Sequence, residues 1–246
     1  MKEEVAVEKG MKDQQTHRYF DRFTPHYNPR RFDFAIEYLN RHSSADGRLI
    51  DIGCGDGATL YLIKEKTQLR HLTGLDISRN YLDRARERVG CDVIEGSILD
   101  DGFVDEYANR YDYCTLGAVL HHLIGRTRRE SFRYASQCLE NSMRLLKPEG
   151  CLLMFEPTHA PSILMDIVFW TKKTVGLLAD QRIELLSRWA NVGQPVVSYY
   201  TPRQIHSFLA GIANSNILEE KALDRKRLGF VIKRVGLGVI LQKSEA

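Results

Sequence analysis

The sequence has no long apolar run, no paired cysteine motif and no dominant charge. No stretch approaches the ~20 apolar residues needed to span a bilayer. Ser162–Trp170 comes nearest, but it is short and holds Asp166. The five cysteines (Cys54, Cys91, Cys114, Cys138, Cys151) are odd in number and far apart. None has metal-ligand spacing, so neither a disulfide framework nor a bound metal is expected. Several sit in apolar runs, as free thiols do in a reducing cytoplasm. The opening MKEEVAVEKGMKDQQTH lacks the apolar core of a secretory signal. Basic and acidic residues nearly balance, 35 against 32. A net charge of +3 does not by itself mark nucleic acid or an anionic membrane as partner.

What is present is globular. Hydrophobic residues make up 43% and charged residues 27% of 246, with mean hydropathy −0.33. These values exclude a disordered chain or a fibre. We read one domain in four parts: an arm with cap helices (1–41), a core (42–156), a helical insertion (157–198), and a C-terminal helix with a strand pair (199–246).

Residues 18–41 are aromatic and periodic, with a break at Pro29. Strand-like runs then follow at 48–53, 71–76, 92–95, 111–116 and 151–155. Helical stretches at 58–66, 78–89 and 131–146 separate them, Ser78 serving as an N-cap. Lys147-Pro148-Glu149-Gly150 reads as the stop of the third helix. The alternation predicts a doubly wound α/β fold with a mostly parallel, seven-stranded sheet. Two helices without a strand between them, 161–178 and 179–192, form the insertion. Thr201-Pro202 opens one more helix. Runs at 217–223 and 235–242 are expected to pair antiparallel. Ile163, Leu164, Ile167, Val168 and Trp170 predict an apolar helix face roofing a pocket.

The strongest signal is the run Leu49-Ile50-Asp51-Ile52-Gly53-Cys54-Gly55-Asp56-Gly57-Ala58. An apolar strand enters a glycine turn and a helix follows, which brings bare backbone and free N–H groups to a ligand. Gly53-x-Gly55-x-x-Ala58 also fits the dinucleotide fingerprint, so a nicotinamide or flavin enzyme is one reading. Asp51 favours S-adenosylmethionine instead. A carboxylate at that strand end accepts from an amino-acid ammonium, whereas it repels a pyrophosphate. Asp76 ends the second run 21 residues after Gly55, the distance at which an acid meets ribose hydroxyls.

These residues resemble the class I S-adenosylmethionine-dependent methyltransferases, over about 18–156 and, loosely, the last two strands. Asp51-x-Gly53-x-Gly55-x-Gly57 matches the family's first motif and Asp76 its ribose acid. Gly117-Ala118-Val119-Leu120-His121-His122-Leu123 resembles its segment after the fourth strand, and Lys147-Pro148-x-Gly150 its turn into the fifth. Phe20-Asp21-Arg22 through Tyr27 is similar to the N-terminal signature of the ubiquinone and menaquinone C-methyltransferase branch. The resemblance implies S-adenosylmethionine held by Tyr27, Asp51, Gly53, Cys54, Gly55, Asp76, Ile77, Ser97, Ile98 and Gly117. One position departs: Gly96-Ser97-Ile98 stands where the family often has Gly-Asp. That leaves the adenine to Ser97, the Ile98 backbone or Asp100.

Methyl transfer requires alignment and, for a hydroxyl or acidic carbon, a nearby base. His121, His122 and Glu156 are the catalytic candidates, at the strand ends where ligands bind in doubly wound folds. His159, Tyr199 and Tyr200 are candidates for lining the acceptor site. The expected reaction is methyl transfer to oxygen or carbon of a small organic acceptor with an apolar part. The alternatives are an RNA methyltransferase and a cofactor-binding protein without turnover. Arg126, Arg128, Arg129 and Arg133, and Arg225-Lys226-Arg227 with Lys233-Arg234, are the basic patches that an RNA reading would use. They lack interleaved aromatics. The sequence leaves homo-oligomerisation open.

Overall fold

Strand β1 (Arg48–Ile52) is apolar at successive positions because both faces of the sheet are covered. Leu49 packs on one side with α1 (Asp33–His42), α2 (Ala58–Lys66) and α3 (Arg79–Val89). Its neighbour Ile50 packs on the other, with α5 (Arg128–Leu145) and α7 (Pro202–Ala210). The computed structural model describes residues 29–179, 196–228 and 232–244. Tyr27, the Phe20-Asp21-Arg22 signature and the second insertion helix from residue 180 onward lie outside these.

Seven strands form one sheet in the order β3-β2-β1-β4-β5-β7-β6. The others are β2 (His71–Asp76), β3 (Asp92–Glu95), β4 (Tyr111–Gly117), β5 (Leu146–Ala160), β6 (Ser215–Leu228) and β7 (Ile232–Lys243). β1 to β5 are parallel, and β7 runs antiparallel to both β5 and β6. The expected doubly wound architecture and its antiparallel end are therefore present.

Local chemistry sets the boundaries. Ser78 caps α3 by accepting from the Tyr81 N–H, and Gly90 ends it in the left-handed region. Thr201 and Gln204 close a reciprocal capping box on α7. α5 begins three residues before the expected start, because Thr127 caps it by accepting from the Glu130 N–H. The seven-residue α4 (Asp101–Tyr107), capped by Asp100, was not expected at all.

The largest departure is β5. The Lys147–Gly150 turn lies within it, with Glu149 at φ +62° and the register to β4 jumping from Tyr111↔Leu146 to Tyr113↔Cys151. At its other end β5 does not stop at Phe155. β4 ends opposite that residue, but β5 continues through Glu156–Ala160 on β7 alone. Five residues at ~3.3 Å each carry this ladder about 16 Å beyond its parallel neighbour. Pro157 is tolerated there because the extension has one partner strand, as at a sheet edge.

α6 (Ser162–Ala179) also corrects the expected roof. Among its described side chains Met165 and Phe169 are buried, Leu164 and Val168 half-buried, and Ile163, Ile167 and Trp170 exposed. The helix is apolar on more than one side, so its sequence does not identify the inward face.

Candidate active site

The glycine turn leaves β1 and is tied to β2. Gly53 and Cys54 both donate their N–H groups to the Leu75 carbonyl, at 2.8 and 3.0 Å. Gly53 has φ +65°, and a Cβ there would stand 2.7 Å from Val119. At Gly55, φ +54°, an added Cβ would meet nothing within 4 Å. Among the described residues the space over this turn is open and its backbone is bare, as a closely approaching ligand requires.

Asp76 fixes the turn from the side. One carboxylate oxygen accepts from the Gly55 N–H and the other from the Ser78 N–H, both at 2.9 Å. Asp51 is buried and accepts from the Thr115 hydroxyl at 2.7 Å. Burial raises its pKa to about 7; the Thr115 bond opposes the rise and Asp76 adds to it. Such a carboxyl is ready to pair with a cation.

Other expected cofactor residues have local partners. The Cys54 thiol packs under Gly74, where an added Cβ would sit 2.8 Å from its sulfur. Ser97 accepts from the Leu99 N–H. Ile98 is in the core, and its carbonyl accepts from Asn141. Asp100 is exposed and caps α4. Ile77 is half-buried beside Asp76. Gly117 is overlain by Phe32, whose ring would be 2.8 Å from an added Cβ.

Just past Gly117 the chain turns sharply. Ala118 sits at φ +60° and donates its N–H to the Phe155 carbonyl at 2.7 Å. A non-glycine residue there is strained, and such strain collects at functional turns. The turn delivers His121 and His122 on a 3-10 segment, Leu120–His122, against the β5 extension.

There the expected candidates converge. His121 Nδ1 lies 2.5 Å from Glu156 Oε1, and Glu156 Oε2 accepts from the Leu120 N–H at 3.2 Å. His122 lies against His121, ring centres 4.1 Å apart. The Tyr199 ring lies between two histidines, 5.3 Å from His121 and 4.1 Å from His159. Glu156 does not end β5 and His159 does not open an insertion. Both stand on the extended ladder, Glu156 paired with Leu237 and His159 with Arg234 of β7. Tyr200 does not line this cluster: it is fully buried with Phe132 and Phe208, and its hydroxyl donates to the Ser131 carbonyl.

Burial governs the electrostatics. It pushes Glu156 well above the usual carboxylate range and His121 down to about 3, with Arg234, Arg31 and Lys172 adding to the latter. His122 falls for the same first reason. His159 falls to about 4 by burial, then Arg234 and His121, with the Pro157 carbonyl opposing. Both members of the Glu156–His121 pair thus favour their neutral forms. A carboxylic acid donating to Nδ1 leaves the proton of the imidazole on Nε2.

Two arginines of the basic patches belong to this region, which the sequence alone did not show. Arg128 is buried; it donates to Asp166 of α6, the Ser198 hydroxyl and the Tyr199 carbonyl. It also lies over the rings of Phe132, Phe169 and Tyr200. It clamps the Tyr199 segment and α6 to α5 and is not part of a solvated patch. Arg128→Ala is expected to leave these acceptors unsatisfied and cost about 3 kcal/mol. At this chain length thermal unfolding should fall by roughly 6–12 °C. Arg128→Lys restores only part, since an ammonium lacks the fork.

Arg234 stands directly opposite His159 in the β5–β7 ladder. Its place depends on strand register, which no local pattern reveals. Among the described residues no group of three or more His, Cys, Asp or Glu forms a metal cluster, and no helix is long and apolar enough to cross a membrane. All five cysteines are free thiols.

Residues 50–152 match the family model described as a methyltransferase domain. A ubiquinone biosynthesis O-methyltransferase of Nitrosococcus oceani is 27% identical over 176 residues, 68% of this chain and 68% of that one. A demethylmenaquinone methyltransferase of Listeria welshimeri is 26% identical over 171 residues, 62% and 66% of the two chains. The chain thus spans about two thirds of the length of the curated relatives it matches, from 63% to 68%. Among solved structures, the magnesium protoporphyrin IX methyltransferase of Synechocystis PCC 6803 shares the fold, with TM-score 0.59 and 12% identity. That match covers 94% of this chain and 97% of the other.

Proposed function

We propose that this chain, whose residues 50–152 match a methyltransferase domain, is a class I enzyme that transfers a methyl group from S-adenosylmethionine to the oxygen or carbon of a small organic acceptor with an apolar part. The observation that carries this reading is one continuous edge. It runs from the glycine turn with Asp51 and Asp76, past Gly117, to the His121–Glu156 pair. The names of the two quinone-related relatives support an acceptor of that class.

The residues of the turn fit the cofactor. The buried Asp51 suits its ammonium, and the bare backbone of Gly53, Cys54 and Gly55 allows close approach. Asp76 with Ile77 suits the ribose, and Ser97 with the Ile98 backbone suits the adenine. Gly117 and Tyr27 complete the proposed set. When bound, S-adenosylmethionine supplies a methyl group already activated by its sulfonium.

The chain's own work is then alignment and charge placement. Glu156 holds His121 by Nδ1 and fixes its tautomer, much as an outer partner orients a metal-bound or catalytic histidine. Nε2–H is left to donate to an oxygen of the acceptor. Tyr199 and His159 flank that point and limit where the acceptor ring or chain can lie. In this reading His121 orients an acceptor oxygen instead of removing a proton in bulk-like fashion; a histidine depressed to about 3 is a poor free base.

Calorimetric titration tests the cofactor half. S-adenosylmethionine and its demethylated product S-adenosylhomocysteine should bind with 1:1 stoichiometry, and NADH should not. Binding of NADH alone would return the glycine turn to its dinucleotide meaning. A screen with methyl-labelled cofactor then tests turnover against the small-acceptor classes.

A further inference from the structure

The end of the β6–β7 hairpin carries an arrangement that strand pairing alone disfavours. Lys226 stands opposite Arg234, and Arg227 opposite Lys233. Like charges placed directly across a ladder destabilise it. Arg234 is also half-buried, with His159 across from it on β5. Directly opposed residues share a face, so Lys226, Arg234 and His159 form one row ending at the buried cluster.

Two further cations approach the same point from other elements. Lys172 of α6 is half-buried. Arg31 lies over the Phe155 ring, 5.5 Å from its centre, one residue along β5 from Glu156. The charge of Arg234 acts on His121, His159 and Tyr199, that of Lys172 on His121 and His122, and that of Arg31 on His121. No carboxylate among the described residues makes a salt bridge with Arg234 or Lys172. The one acid inside the cluster, Glu156, is fully buried and already engaged by His121 and the Leu120 N–H. Half-buried cations without a counter-charge are costly, and they are retained where an anion completes the site.

We propose that the acceptor carries a carboxylate, held by Arg234 with Lys172 across the His121–Tyr199–His159 cluster. The proposal rests on the methyltransferase reading and names its substrate class: an acceptor with an apolar body and an anionic group. Arg234 supplies a planar fork suited to two carboxylate oxygens, and Lys172 adds a point charge. The anion relieves the Lys226–Arg234 repulsion and turns the apolar part toward Tyr199.

The test uses the full chain with S-adenosylhomocysteine present. Benzoate, phenylacetate and octanoate are compared with their methyl esters by ligand-detected NMR. In the wild type the acids should bind at least tenfold tighter than the esters, and acid binding should raise the pKa of His159. Arg234→Gln should abolish the preference, and Lys172→Gln should reduce it several-fold. Neither should change S-adenosylhomocysteine affinity by more than about twofold. Esters that bind as well as the acids, acids that fail to bind, or a preference that survives Arg234→Gln would each overturn the proposal. Loss of S-adenosylhomocysteine binding in the wild type would instead sink the methyltransferase reading itself.

Discussion

Glu156→Ala is expected to destabilise the protein by about 3–4 kcal/mol, while Glu156→Gln stays within about 1 kcal/mol of wild type. The alanine strands two buried polar groups, the Leu120 N–H and His121 Nδ1, and each such loss costs ~1–3 kcal/mol. It also leaves a void among packed side chains. Glutamine keeps the shape and both hydrogen bonds, because the carboxyl it replaces is held neutral by burial.

The pH dependence separates the two variants further. Glu156 has a folded-state pKa above its unfolded value of 4.5. Its contribution is therefore complete below that value and is lost as pH rises through the folded pKa. His121 is depressed from 6.5 to about 3, so its contribution is complete above pH 6.5 and is lost as pH falls through that window. Removing the carboxyl removes only the alkaline loss. Glu156→Gln should thus gain on wild type as pH rises above 4.5, and both should weaken alike in acid. Thermal unfolding between pH 5 and 9 reads this directly. Parallel curves over the whole range from pH 5 to 9 would mean that Glu156 is ionised throughout in the native protein.

Asp76→Ala is expected to weaken S-adenosylhomocysteine binding by roughly 10- to 150-fold. The carboxylate holds two backbone N–H groups of adjoining segments, Gly55 and Ser78. Hydrogen bonds to a charged group contribute ~1.5–3 kcal/mol each. Its loss loosens the turn over which the nucleoside would lie, and it also removes the proposed ribose acceptor. Asp76→Asn keeps acceptor capacity on one side only and should fall between. Calorimetry gives the affinities, and hydrogen exchange at Gly55 tells whether the turn has opened. Unchanged affinity in Asp76→Ala would remove Asp76 from the cofactor site.

The parallel half of the molecule was legible from the sequence because its signals are local. Leu49–Ile52 is an apolar strand, broken only by Asp51, that runs into glycines, and Ser78 and Thr201-Pro202 mark helix starts. Glu156 and His121 were named as candidates, but their direct pairing depends on how far β5 runs. That length was not legible. Pro157, Thr158 and His159 are not an apolar strand sequence; the hydrogen bonds of β7, more than seventy residues away, hold them extended. In the sequence Arg128 and Arg234 stand only as members of basic patches that RNA would use, for the same reason. Position in a run of basic residues says nothing of which acceptor or which cross-strand neighbour waits in the fold. The inward face of α6 failed differently, since apolar residues surround that helix and leave no single stripe to choose.

On the proposed reading, the lone ladder beyond β4 makes acceptor choice adjustable without touching the glycine turn. Side chains alternate faces along a strand, so deleting one residue between Phe155 and His159 would swing His159 to the opposite side and uncouple it from Arg234. Deleting two would keep it on the same side and draw it one rung closer to Glu156. The reach of the proposed acceptor site is therefore quantised in steps of ~7 Å, two residues at a time. Variants of this chain that take longer or shorter acceptors should differ here by an even number of residues.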